Sequence, residues 1–533
     1  MSLAIPVAAS TTVRSLVATL LTAATVVATD HAGPTLHPGS ARPVRPLPRP
    51  KAYYVSPAGT DSGDGSQARP WDIRSALAGA SGRIQPGDTV WLRGGRYVGH
   101  FESKLTGTAD APIIVRQFPG ERATLDNPDV APGHSPKFRR AFVGPAYVTL
   151  KISGQWAWYW GFEVIHSSAE RDVARTDGVY PTAPNNKFIN LVVHDNAVGV
   201  SFSNESRNSE VYGCLIYDNG YSDIDRTHGH GIYTKNDGQY QKLIRDNVVF
   251  NQFRNGIQVY TDAGSGQLKN FLVEGNVWFN NGTLTGNRFP DGNMLVGGQE
   301  MADQIIVRHN MTYFSPGIDA RNVRIGYTAA LQNGTVNVQD NYFVGGTTVL
   351  WVGSWSDATM TGNLLFGTAT VVDLNRAATG QSWSGNTHVR DPGANAWIAA
   401  GQPHTFNDWR RTTGLAATDT ARSAAPAQPQ VFVRPNRYEA GRANIIVYNW
   451  TRQPTVAVDV TGVLQAGDRY ELRNVQDFYG SAVLRGTYEG GPLAVPMTGV
   501  EPPAPIGGSP GTARRTGPDF DVFVLSITAT GAQ

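Results

Sequence analysis

One cysteine, Cys214, in 533 residues leaves no intrachain disulfide to staple the fold. Charge of one sign is also missing, with 45 basic against 43 acidic side chains and a formal net charge of +2. Such a balance gives no global field to hold a nucleic-acid backbone or an anionic membrane, so electrostatic recognition has to be local. Charged residues make up only 17% of the chain while Gly (59) and Pro (33) are abundant, which excludes a coiled coil and favours many short strands joined by turns. Only one apolar run stands out, Ser15 to Ala28 (SLVATLLTAATVVA). It follows Arg14, ends in small residues and is shorter than a membrane span, so it is expected to be a secretory signal and the product secreted. No later segment has the length or hydropathy to span a membrane.

The expected organisation is a signal peptide (1–28), a Pro/Arg-rich linker (29–50), a repeat domain with an N-terminal cap (51–417), a low-complexity linker (418–430) and a C-terminal domain (431–533). Asparagine marks the repeats: residues 185–386 hold 25 of the chain's 32. The segments align as FIN-LVV (Asn190), VYGC-LIY (Cys214), IRDN-VVF (Asn247), VEGN-VWF (Asn276), VRHN-MTYF (Asn310), VQDN-YFV (Asn341), MTGN-LLF (Asn363) and WSGN-THV (Asn386), 22 to 34 residues apart. An irregular period with two short strands around a turn predicts a solenoid whose coils differ in their loops. The asparagines are expected to take left-handed backbone angles and to stack as an amide ladder, with Cys214 a buried, inert thiol in the same column. Asn436, outside the ladder, is expected to be exposed.

A second strand recurs in each repeat, and its alternation puts Val179, Val200, Ile232, Ile257, Met294 and Val323 inside. Tyr180, Ser201, Tyr233, Gln258, Leu295 and Arg324 should then stack on one outer face. After residue 430, VFVRPN, ANIIVYNW, TVAVDV, DRYELRNV and DVFVLSI alternate without asparagine, which predicts an antiparallel β-sandwich.

The opening YYVSPAGTDSGDGS…PWDIRSALAGA…QPGDTVWLRGGRY, the passage TGTADAPIIVRQFPGERATLD and the Asn-rich coils resemble the secreted right-handed parallel β-helix proteins, a fold shared by polysaccharide lyases and glycoside hydrolases. The resemblance runs from Tyr53 to Leu415, where HTFNDWRRTTGL resembles the short helical exit of such proteins. It implies an all-β, right-handed parallel β-helix and a carbohydrate substrate, and it carries over no catalytic residue, because β-helices host many chemistries.

The densest polar stretch, Tyr221 to Asp237, places His230 before a strand and Tyr233 and Lys235 on one outward face. Flanking coils offer Asp177 and Tyr180, then Arg254, Gln258 and Tyr260, then Asp291, then Arg324. For β-elimination on a polyuronate, Lys235 or His230 would be the base, Tyr233 the acid, and Arg324 or Arg254 would neutralise the uronate carboxylate. A hydrolase would instead pair carboxylates from Asp177, Asp223, Asp225 and Asp291, and a non-catalytic protein would use the tyrosines to bind glycan. Arg226 adds to the basic side of this face. Glu163 and His166 fall on opposite faces of one strand, no zinc spacing or complete calcium loop is present, and TDSGDGS at 60–66 matches only the start of such a loop. No phosphate-binding loop or GxSxG elbow occurs. The expected partners are a polysaccharide and no nucleic acid, the chain a monomer, and no cofactor is required, with calcium between coils left open.

Overall fold

The computed structural model describes residues 50–129, 148–222, 227–286, 291–375 and 379–528. The expected signal peptide and nearly all of the first linker lie outside these residues, as do Asp223, Asp225, Arg226 and the side chain of Asp291.

Among the described residues, three sheets of 12 strands wind side by side, parallel except for the edge strand Gln402–His404: the solenoid that the repeats predict and the right-handed parallel β-helix that the resemblance implies. The first sheet runs from Ala52–Val55 to Gln381–Ser384, the second from Gly95–Val98 to Thr420–Arg422, and the third from Phe101–Ser103 to Gln402–His404. Alternation decides what fills the bore: Val179, Val200, Ile232, Ile257, Met294 and Val323 are all at most 1% exposed in one continuous core. Both open ends are plugged. Ile73–Leu77, N-capped by Asp72, buries Ile73, Ala76 and Leu77 at one end, and Phe406–Thr413, N-capped by Thr405, buries Phe406 and Trp409 at the other.

The amide ladder is present between the first and second sheets. From Cys214 N–H it runs through Asn247, Asn276, Asn310, Asn341, Asn363 and Asn386, each side-chain oxygen accepting from the backbone N–H of the preceding coil at 2.9–3.1 Å. Two details correct the sequence alignment. The left-handed residue is the one before the ladder position, as with Asp246 (φ 54) and Asp340 (φ 52), and not the asparagine itself. In the first coil Asn190 occupies that turn position (φ 51), while Leu191 takes the ladder column. Cys214 is fully buried and burial pushes its thiol up to about 12, so it stays protonated.

Asn436 is not the exposed residue expected, since its amide donates to Asn190 Oδ1 at 2.8 Å. The opposite end of the ladder is closed by Asp419, whose oxygens accept from Asn386 N–H (3.0 Å) and Nδ2 (2.9 Å). Residues 418–430, expected as linker, therefore begin as part of the helix, and Thr420–Arg422 pairs with Thr387–Val389.

The C-terminal segment forms a five-stranded antiparallel sheet (Gln430–Pro435, Arg442–Tyr448, Phe520–Ile527, Arg469–Asn474, Leu484–Thr487, in spatial order) and a two-stranded sheet of Thr455–Val458 with Leu493–Pro496. One face of the larger sheet packs on the second helix sheet through Ile446, Tyr448, Phe520 and Val522 against Val248, Phe250, Phe279 and Tyr313. That apolar contact explains why the second sheet's outward positions are hydrophobic in the sequence.

At the edge of this contact lies a buried ionic chain. Glu163, fully buried, accepts from Arg122 Nη2 (2.5 Å) and His194 Nε2 (2.9 Å), and His194 Nδ1 donates to Asp195 Oδ2 (2.7 Å). With both ring nitrogens donating, the imidazole is cationic. Burial opposes that charge, but the bonds to Asp195 and Glu163 outweigh it and raise His194 to about 9; burial likewise opposes the charge of Glu163, which His194 and Arg122 hold down at about 2. The histidine's contribution to stability is complete below 6.5 and lost as pH rises through 9, and that of Glu163 is complete above 4.5 and lost as pH falls through 2. His194→Gln is expected to cost on the order of 2 kcal/mol at pH 6 and clearly less at pH 9.5. Urea unfolding at the two pH values measures this, and an equal loss at both would contradict the charged assignment.

Candidate functional site

The third sheet carries an outward column set by strand register: Glu102, Lys151, Tyr180, Ser201, Tyr233, Gln258, Leu295, Arg324, Trp351, Asp373 and Ile398. The six outward residues expected from the sequence lie in it in the expected order. Coils stack about 4.8 Å apart, so the column can follow a polymer over several sugar units.

Its centre is the coil carrying Ile232–Thr234. Lys235 is half-buried and its ammonium donates to the Ser265 carbonyl at 3.0 Å, 5.9 Å from the Tyr233 ring centre. Burial lowers its pKa, with Asp262 and Glu205 pulling weakly the other way. Tyr233, also half-buried, has its hydroxyl pKa raised by burial and by Asp262, so it holds its proton. His230 is 9% exposed with its ring 6.0 Å from that of Tyr233. One coil on, Tyr260 is 6.4 Å from Tyr233 and donates to Asp262 Oδ1 at 3.0 Å, and Gln258 pairs with Tyr233 in register. The Gln258 Oε1 is buried without a hydrogen-bond partner among the described residues.

These five residues are brought together; the others are spread along the column. Asp177 begins the strand two coils before that of Tyr233 and is half-buried. Burial pushes its carboxyl up to about 7 against hydrogen bonds from Val198 and Ser201. Tyr180 stands on the same strand, half-buried. Arg254 lies in the turn before Ile257–Val259. Arg324 is three register steps from Tyr233, roughly 14 Å at the usual spacing, and cannot act on the sugar atom that Tyr233 and Lys235 reach. Its guanidinium donates to the Tyr327 carbonyl and sits 5.0 Å from the ring centres of both Tyr327 and Trp351. Leu295 shares the column but is 1% exposed, so the wall is not continuous.

Two features escaped the sequence reading. Lys242 is fully buried and donates to the Lys235 carbonyl (2.8 Å), Ser206 Oγ (2.8 Å) and the Ser203 carbonyl (3.4 Å), which fixes the backbone of Lys235 from inside the coil. Alternation from Ile244 places it inward, so the signal was in the strand. Trp351 and Asp373 extend the column, and burial raises the Asp373 carboxyl against the pull of Arg321. Glu163 and His166 do not share a ligand position: Glu163 is engaged by Arg122 and His194, and His166 Nε2 meets the Asp129 carbonyl at 3.2 Å. Among the described residues no three His, Cys, Asp or Glu side chains converge as a metal site requires.

Residues 53–348 match the family model "Pel9A-like, right handed beta helix region". The chain belongs to this family. Within it, Pectate lyase PEL9 of Emericella nidulans is 26% identical over 367 residues, covering 62% of this chain and 83% of the relative. Pectate lyase L of Thermoclostridium stercorarium is 23% identical over 290 residues, 52% of this chain but only 21% of that longer protein. Among solved structures, pectate lyase Pel9A superposes with a TM-score of 0.41 at 20% identity over 61% of this chain and 78% of its own. XylC in complex with xylose gives 0.45 at 10% identity over 89% and 100%. The Pel9A-like match ends within the helix, short of its last coils and of the antiparallel sheets.

Proposed function

We propose that this protein is a secreted enzyme that cleaves a uronate polysaccharide by β-elimination at Tyr233 and Lys235. The observation that carries the proposal is the state of Lys235: half-buried, bonded to a neutral carbonyl and with a lowered pKa. These properties suit a base. Its amine takes the C5 proton of the uronate, the electron pair forms the C4–C5 double bond as the C4–O bond breaks, and Tyr233 gives its proton to the leaving oxygen. His230 lines the same subsite, and Gln258, Tyr260 and Tyr180 hold neighbouring sugars. The relatives named pectate lyases support the substrate class.

A second reading has one specific observation in its favour. Asp177, with its carboxyl near 7, suits the general acid of a glycoside hydrolase. A polymer panel separates substrate classes: purified protein should shorten polygalacturonate, alginate or rhamnogalacturonan and leave xylan and arabinan intact. Cleavage confined to the neutral polymers, or glycan binding without cleavage, would overturn the proposal. Asp177→Asn is expected to reduce turnover less than tenfold, and its abolition of cleavage would favour the hydrolase.

A further inference from the structure

The first sheet has an outward face of its own, on a different sheet from the groove. Over its first four coils the strand register stacks Tyr54, Trp91, Arg116 and Trp160 in one column, with Ile114 and Trp158 beside the last two. The residues that alternate with them, among them Val90, Val115 and Tyr159, fill the bore, so all six point away from it. Each of the six is half-buried, and the four coils span roughly 14 Å at the usual spacing. Tyr438 of the C-terminal segment closes one end of the strip, edge-on to Trp158 (5.8 Å) and Trp160 (6.1 Å).

Arg116 is the centre of the strip. Its guanidinium carbon lies 5.2 Å from the Trp91 ring centre, one coil before, and 4.1 Å from that of Trp160, one coil after. Neighbouring cations have their anions: Arg93 is held by Glu121 (2.6 Å) and Lys187 by Glu210 (3.5 Å). Arg116 has no carboxylate at ion-pair distance among the described residues. Burial lowers its pKa, against the more distant pull of Glu439, whose Oε2 accepts from Asn190 Nδ2 at 2.8 Å.

Stacking between two indoles holds the planar guanidinium in one orientation, ready for a bidentate acceptor. A half-buried cation without a counter-ion gains when an anion completes it. Indole rings alongside suit the C–H faces of sugars, which a small inorganic anion would leave unused. One isolated cation also matches a single carboxylate better than the row of phosphates in a nucleic acid.

We propose that this strip binds an acidic polysaccharide, with Arg116 taking one uronate carboxylate and Trp91, Trp158 and Trp160 contacting the sugar rings beside it. The site is separate from the groove and holds one stretch of polymer while the groove works on another. That the carboxylate belongs to a uronate rests on the function proposed above; the anion site itself does not.

The test is a calorimetric titration of the full chain carrying Lys235→Ala with tetragalacturonate and with its methyl ester, which has the same rings without the charge. A binding event should be present that Arg116→Gln and Ile114→Glu, each added to that chain, weaken at least tenfold, with folding checked by thermal unfolding. The ester should be at least tenfold weaker in the same event, a comparison that needs no change in the strip. The proposal is overturned if binding of the acid is the same in both strip variants, if the ester binds as tightly, or if a second copy of the chain occupies this face and excludes the sugar. Arg116-dependent binding by a protein whose native form leaves polygalacturonate uncleaved would uphold this site and count against the groove chemistry alone.

Discussion

Lys235→Ala is expected to lower turnover on a uronate polymer by on the order of 10² or more while the protein remains folded, since a positioned acid or base contributes that much. The side chain lies on the outer face, so its loss opens no cavity in the core. Tyr233→Phe should fall in the same range, because only the hydroxyl proton is lost. Activity of the native protein should rise with pH towards the alkaline side: burial favours the neutral amine, and the neutral amine is the base. Lys235→Arg, which keeps the cation but never deprotonates, should not restore turnover. Recovery by arginine would recast Lys235 as a charge that binds the uronate. These outcomes are read from initial rates between pH 6 and 10 together with thermal unfolding of each variant.

Asn276→Leu should be among the most destabilising single substitutions in the protein, on the order of 3 kcal/mol or more. Asn276 is fully buried, and its side-chain oxygen accepts from Asn247 N–H (3.1 Å) and Nδ2 (2.9 Å) while its amide donates to the Ile244 carbonyl (2.8 Å) and Asn310 Oδ1 (2.9 Å). Leucine of similar volume removes all four of those bonds and leaves the Asn247 N–H without its acceptor in the dry bore, while Asn247 Nδ2 keeps the Val211 carbonyl and Asn310 Oδ1 keeps the backbone N–H of residue 276. Asn395, exposed between the last coils, is the proper comparison, and Asn395→Ala should change stability by less than about 0.5 kcal/mol. Asn436 would be a poor control because it bonds Asn190. Equal shifts in urea midpoint for Asn276→Leu and Asn395→Ala would contradict the ladder.

The helix was legible because its constraints repeat. One asparagine per coil and one inward valine or isoleucine per strand recur often enough that a slip in one coil, as at Asn190, leaves the pattern intact. A second amide ladder, from Asn196 through Asn219, Gln252, Asn281 and Asn293 to Asn322, went unread because glutamine stands in for asparagine at 252 and the spacing drops to 12 residues between Asn281 and Asn293. The strand column of the groove followed from the same alternation, which is why Tyr180, Tyr233, Gln258 and Arg324 fall in line. What alternation alone does not give is distance along the column: Arg324 looked like a partner of Lys235 and is three coils away. The contact with the C-terminal sheets was hidden for a related reason. The second sheet's outward Val248, Phe250 and Phe279 read as ordinary buried strand until the partner sheet was seen to cover them.

The central claim, elimination and not hydrolysis, is tested most directly by counting two products in one reaction. Polygalacturonate treated with the purified protein should gain one ultraviolet-absorbing unsaturated uronate for every new reducing end. New reducing ends without that chromophore would contradict the assignment of Lys235 as the base that removes the C5 proton.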